Sequence, residues 1–111
     1  MAATVFHVPA DGPALAGGAD VLGLIHEQGA DADWIAVPVS RLDPAFFDLR
    51  SGVAGDVVQR FVNYRIGLAV VGDIGEHLGG STALRDFVRE ANRGRQVWFV
   101  ADEAELAARL A

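Results

Sequence analysis

Apolar residues fall in short blocks along this chain, and the blocks alternate between two periods. Thr4–Val8 is a short β-rich run, and Trp34–Val39, Ile66–Val71 and, within Gln96–Ala101, Val97–Val100 are nearly continuous apolar runs. Such runs fit strands buried on both faces, as in a parallel sheet. Between them the apolar positions recur at helical spacing. Val21, Leu22, Leu24 and Ile25 follow Asp20, an acid placed for an N-cap or first turn, and Gly29 ends that helix. From about Gly52 to Tyr64, Val53, Val57, Phe61 and Tyr64 form one stripe with Ala54, Val58 and Val62 beside it. That face is wider than one sheet contact requires, and Asn63 is placed for a left-handed C-cap. Leu84, Phe87, Val88 and Ala91 line a further helix, capped by Ser81 or Thr82 and stopped by Gly94. Asp102 with Glu105 has capping-box spacing ahead of a last helix ending at Leu110.

Turn residues punctuate these blocks. Pro9, Asp11, Gly12 and Pro13 close the first run, and Pro38 must sit near the end of the second strand because it lacks a ladder donor. Asp43-Pro44 reads as an N-cap and first-turn proline opening a brief helical turn through Phe47, while Gly72 to Gly80 reads as a glycine-rich loop. The pattern predicts one α/β domain over residues 1–111, four successive βα units forming a mainly parallel four-stranded sheet. Right-handed crossovers then gather the helices on one face.

Composition narrows the function more than the fold. The 111 residues suffice for a single core, and a net charge of −6 argues against nucleic-acid binding through a basic surface. All nine basic residues are arginine, which excludes Schiff-base chemistry and a Walker-type phosphate lysine. The absence of cysteine excludes disulfides, thiolate nucleophiles and sulfur-ligated metals. MAATVFHVPADG carries no cationic stretch followed by an apolar run, so no signal peptide is expected. No stretch reaches the roughly 18 apolar residues of a membrane span, and a cytoplasmic protein without a membrane partner is expected. His7, His26 and His77 lack ligand spacing, and His26-Glu27 lacks the second histidine of a zinc-protease pair; neither a metal nor a cofactor is implied.

A parallel sheet gathers the loops that follow its strands at the carboxyl edge, where helix N-termini offer free N–H groups. That places Phe47, Asp48, Arg50, Ser51, Gly52, Asp73 and His77 together as candidate ligand- or partner-binding residues. Asp48 and Asp73, following neighbouring strands, are expected near each other, as a pair able to share a proton or a cation, or singly as a helix cap and a turn closer. Arg50 is placed to bridge to either acid or to clamp an anion. Of the adjacent Phe46 and Phe47, one is expected to anchor the core and the other to stay partly exposed. Ser51 reads as a helix N-cap, so that Ser51→Asp should hardly change stability. Arg85, Asp86, Arg89 and Glu90 read as a solvated face of i,i+3 and i,i+4 ion pairs. Arg65 and Arg93, at helix ends on the amino edge, read as arginines bonding helix-end carbonyls.

The stretches Phe46-Phe47-Asp48-Leu49, Ser51-Gly52-Val53-Ala54-Gly55, Asn63-Tyr64-Arg65, Leu68–Asp73, Arg85-Asp86-Phe87 and Glu90–Arg95 together resemble a bacterial domain-of-unknown-function family, number 4180. The resemblance runs from about Asp20 onward. Against that family the chain is shorter at its N-terminus, without a first strand that there hairpins with Thr4–Val8. The family implies no established activity. At one remove it is similar to the STAS, or anti-sigma-factor-antagonist, fold, in which a loop reading Asp-Ser-Ser/Thr-Gly carries a phosphorylatable hydroxyl that regulates partner binding. Asp48-Leu49-Arg50-Ser51-Gly52 has one more residue between acid and glycine and puts Ser51 in that neighbourhood.

Two readings of function follow. The first is a non-enzymatic interaction or regulatory module working through the carboxyl edge, with a protein partner or itself. The second is a small-ligand protein or enzyme for an anion or phosphorylated metabolite, using Asp48, Arg50, Ser51 and Asp73. A closed pocket favours ligand chemistry and a shallow edge favours a partner. A sheet apolar on both faces with helices on one of them, and an open edge at Thr4–Val8, argue for a two-fold homodimer burying at least roughly 1,000 Å².

Overall fold

The four runs pair side by side in sequence order, β1 (Val5–His7), β2 (Trp34–Pro38), β3 (Gly67–Val71) and β4 (Val97–Val100), with every neighbouring pair parallel. Phe6, Ile35, Leu68 and Val97 align across the sheet. The computed structural model describes residues 3–29 and 31–111; Met1 and Ala2, which open the segment read for a leader, lie outside them. Pro38 is the last residue of β2, as its missing donor requires. Among the described residues no helix is long and apolar enough to cross a membrane.

Alternation along each strand divides the core into two layers. Ile35, Val37, Leu68, Val70, Val97 and Phe99 point to the front, where they pack with α1 (Gly18–Leu24), α2 (Val53–Tyr64) and α4 (Thr82–Arg93) through Val21, Val57, Phe61 and Leu84. Trp34, Ala36, Ala69, Trp98 and Val100 point to the back, under Leu106 of α5 (Glu103–Leu110). The expectation that all helices share one face is therefore corrected. Crossover handedness constrains a helix that joins two parallel strands. α5 follows β4 and is not a crossover between two strands of this sheet, so the handedness rule does not keep it off the back. This takes the back face out of the argument for a dimer.

Local signals decide the element ends. Asp43 accepts from Ala45 N at 2.9 Å and starts a 3₁₀ turn at Pro44–Phe47. Ser81 Oγ accepts from Leu84 N at 3.0 Å and caps α4. Asp102 accepts from Glu105 N at 2.9 Å while Glu105 accepts from Ala101 N at 3.2 Å, a capping arrangement closed from both sides. α1 begins after Gly17, with Asp20 accepting from Ala16 N within the first turn, and its last turn continues as a π-helical turn over Ile25–Gly29. The left-handed C-cap of α2 falls on Arg65 (φ 58°) rather than Asn63, whose side chain is taken by Gln59 Nε2 at 2.8 Å. The wide stripe of α2 ends exposed at Val62 and Tyr64, the tyrosine hydroxyl lying 2.7 Å from His26 Nε2.

The charged face of α4 carries the expected i,i+3 pairs, Arg89–Asp86 and Arg93–Glu90. The helix-end carbonyl is bonded by a different arginine from the two expected. Arg109 of α5 donates to Asn92 O at 2.6 Å, and Asn92 Oδ1 accepts from Phe99 N at 2.8 Å. Arg65 and Arg93 are exposed. Asn92 thus occupies a main-chain donor of the edge strand β4, one of the ways a sheet edge is blunted.

Candidate functional site

The loop leaving β2 is a chain of tight turns, Val39–Arg41, Pro44–Phe47 and Leu49–Ser51, before α2. Both phenylalanines are buried, Phe46 at 0% and Phe47 at 6% exposure, so the expected exposed ring is absent. The reason is His77. Its imidazole lies flat on Phe47 with centroids 4.0 Å apart and planes 10° from parallel, while Phe46 meets Phe47 edge-on at 5.2 Å. His77 belongs to α3 (Gly75–Leu78), a single helical turn inside the segment that reads as a glycine-rich loop. Four residues are too few to show a period, which is why the sequence hides it.

Each polar candidate is bound first to its own loop. Asp48 Oδ1 accepts from Arg50 N at 3.2 Å and starts the Leu49–Ser51 turn. Asp73 Oδ1 accepts from Gly75 N at 2.8 Å and starts α3 in the same manner. These are Asx turns, the reading of the two acids as cap and turn closer. Ser51 Oγ donates to Ala45 O at 2.6 Å and accepts from Val53 N at 3.1 Å, and Gly52 takes the left-handed conformation (φ 82°) that turns the chain into α2. Arg50 Nε lies 3.8 Å from Asp48, but its side chain is 97% exposed, so the pair contributes little.

Two of the grooves on this edge flank α3. The first, about 550 Å³, is lined by Phe47, Asp48, Leu49 and Arg50, by Glu76 and His77, and by Gly80–Ala83 at the start of α4. The second, about 500 Å³ and more apolar, is lined by Asp73, Ile74, Leu78, Val88 and Phe99 among others. Phe47, Asp48, Arg50 and His77 are thus brought together, Asp73 belongs to the other groove, and Ser51 and Gly52 line neither. Of the two readings of Asp48 and Asp73, the hydrogen bonds fit cap and turn closer, and the two acids line different grooves. Each acid turns inward onto its own backbone, and α3 stands between the grooves.

The chemistry available is correspondingly limited. Among the described residues no three histidine or acidic side chains converge as a metal set. The Ser51 hydroxyl donates to a carbonyl, not to a base, so it is not an activated nucleophile. That donation also corrects the expectation for Ser51→Asp. A carboxylate keeps the Val53 N–H but cannot donate to Ala45 O, and it brings like partial charges together. Ser51→Asp and Ser51→Ala are each expected to cost about 1 kcal/mol in chemical denaturation, with Asp no better than Ala. A stability equal to wild type for Ser51→Asp would show that the donated bond does not matter.

Sequence reasoning missed one residue that shapes this edge. Arg41, only 8% exposed, donates through Nε to Pro13 O (3.0 Å) and through Nη1 to Pro9 O (2.8 Å) and Asp11 O (2.9 Å). The dense Pro9–Pro13 turn announces a run of carbonyls in need of donors, but the donor lies 28 to 32 residues away. Comparison with known proteins returns no matching curated protein and no matching solved structure, so the likeness to the STAS fold finds no support there. A family model described as a domain of unknown function (DUF4180) matches residues 1–110, and the chain belongs to that family.

Proposed function

We propose that the protein is a non-enzymatic interaction module whose docking surface is the groove between the Leu49–Ser51 turn and the start of α4. One observation carries this reading. Asp48, Ser51 and Asp73 are committed to capping their own loops, and what remains facing solvent is an open groove floored by the Phe47–His77 stack, with the exposed Arg50 side chain at its rim. Aromatic rings and arginine are the residue types that dominate binding hot spots, and a rigid floor lowers the entropic cost of docking. A small-anion site built on Asp48, Arg50, Ser51 and Asp73 would need all four to converge, whereas they are divided by α3. The partner is a protein segment, and a second copy of this chain is one that the reading admits.

The test is a photo-crosslinking residue placed at Arg50 in cells, with the same residue at Arg89 on the solvated face of α4 as the control. A single defined adduct from position 50 alone is expected, at a partner's added mass or at twice the chain's own mass. No adduct from position 50, or the same adducts from both positions, would overturn the proposal.

A further inference from the structure

α5 stands apart from the other long helices. Each of α1, α2 and α4 joins two strands of the sheet, so none can leave without disturbing strand pairing. α5 joins no two strands of this sheet and is linked to β4 through Ala101 and Asp102, both exposed. Of its eight residues only Leu106 is buried. Its other attachments are Leu110, half-buried against the same layer, Arg109, which donates to Asn92 O and lies over the Trp98 ring at 4.2 Å, and Glu103, 3.5 Å from His7. Beside it a groove of about 250 Å³, lined by Ala3, Val5, Leu106, Ala107 and Leu110, leaves its β1 side incompletely packed. Beneath it lie Trp34 and Trp98, stacked 4.0 Å apart at 21°, with small Ala36 and Ala69.

From this we infer that α5 is a latch. It leaves the back face as one unit while the sheet and the front helices stay folded, and it bares the two tryptophans when it does. A helix of this length is marginal in water on its own, so undocking and melting are one step. The front core of Ile35, Leu68, Val57 and Phe61 shares no residue with the layer under α5, so nothing in it is opened by the release. Segments held by few buried contacts are the ones that open below the free energy of global unfolding.

The chain supplies its own reporter, since its two tryptophans are both under α5. Native-state hydrogen exchange of the full chain in low denaturant is expected to show the α5 amides, such as Leu106 bonded to Asp102 O, exchanging together. Their shared opening should have a denaturant slope above zero yet below the global slope of α2 and β3, with protection lower by roughly 100-fold. A slope near zero would mean fraying residue by residue, and the global slope would mean that α5 is integral to the fold; either overturns the latch. Leu106→Asp in the full chain gives the second arm. Tryptophan emission should move to the red and become accessible to acrylamide while α2 and β3 amides stay protected. Loss of their protection as well would refute the inference.

Discussion

Gly67→Ala is expected to destabilise the fold by about 3 kcal/mol, the upper part of the range for overpacking a filled core. Trp34 is the register partner of Gly67, and its indole reaches across β3 at that glycine to stack on Trp98 of β4. A Cβ on Gly67 would overlap the indole, with Trp34 Cε2 at 2.7 Å. Position 67 has no positive φ to excuse a glycine, so by backbone preference alone alanine would stabilise this strand by roughly 0.5–1 kcal/mol. The two effects have opposite signs, and equilibrium urea unfolding therefore decides between them. The indole has little room to yield. It is 5% exposed, lies against a ring that Arg109 covers, and belongs to the layer closed by Leu106. Gly67→Ala combined with Trp34→Leu should recover part of the loss, because the smaller side chain no longer crosses β3; such coupling is what a double-mutant cycle measures. A single Gly67→Ala variant as stable as wild type would show that the indole is not fixed over the glycine.

That contact also illustrates what a sequence carries and what it withholds. Apolar runs of period near one, spaced by helical stripes, are enough to place four parallel strands in order, because burial on both faces and the need for crossovers leave few other arrangements. Caps read well for the same reason: Asp43-Pro44, Ser81 and the Asp102/Glu105 pair act on donors two or three residues away. Glycine in a strand signals a close approach, but nothing at Gly67 names the partner as Trp34. Only the register does that. The face chosen by α5 was hidden similarly, since the crossover rule says nothing about a helix that is not a crossover within this sheet.

The candidate site was legible as a place and not as an arrangement. Phe47, Asp48, Arg50 and His77 do meet at the carboxyl edge, as parallel topology demands. Whether a polar side chain there faces a ligand or its own backbone depends on turn geometry over two or three residues. Asp48 and Asp73 resolve that choice in the same way, each onto the N–H two residues later. His77, one of the candidate binding residues, is stacked as a lid on Phe47. Its stacking depends on α3, an element of one turn.

The second large effect is expected at Arg41, where both Arg41→Ala and Arg41→Lys should cost about 3 kcal/mol, the order set by leaving several polar groups without their charged donor. The guanidinium is buried with carbonyl oxygens for partners. Nε reaches Pro13 O from one side of the fork and Nη1 reaches Pro9 O and Asp11 O from the other. An ammonium group has three donors but issues them from one point, so it cannot span the same three carbonyls. The loop so held is the connection from β1 into α1, and it is laid along the segment after β2. Leu15 N donates to Arg41 O at 2.6 Å and Asp43 N donates to Leu15 O at 3.1 Å. Releasing the fork therefore frees the carbonyls of the first loop and weakens the seat of Asp43, which starts the turn carrying Phe46 and Phe47. Gly12 belongs to the same assembly. Its φ of 135° and a would-be Cβ 2.8 Å from Arg41 Cζ make Gly12→Ala destabilising on two counts. The measurement is urea unfolding of the two Arg41 variants beside wild type. Arg41→Lys at wild-type stability would show that charge alone, without the fork, holds the loop; equal losses for Lys and Ala would assign the effect to the spread of the donors.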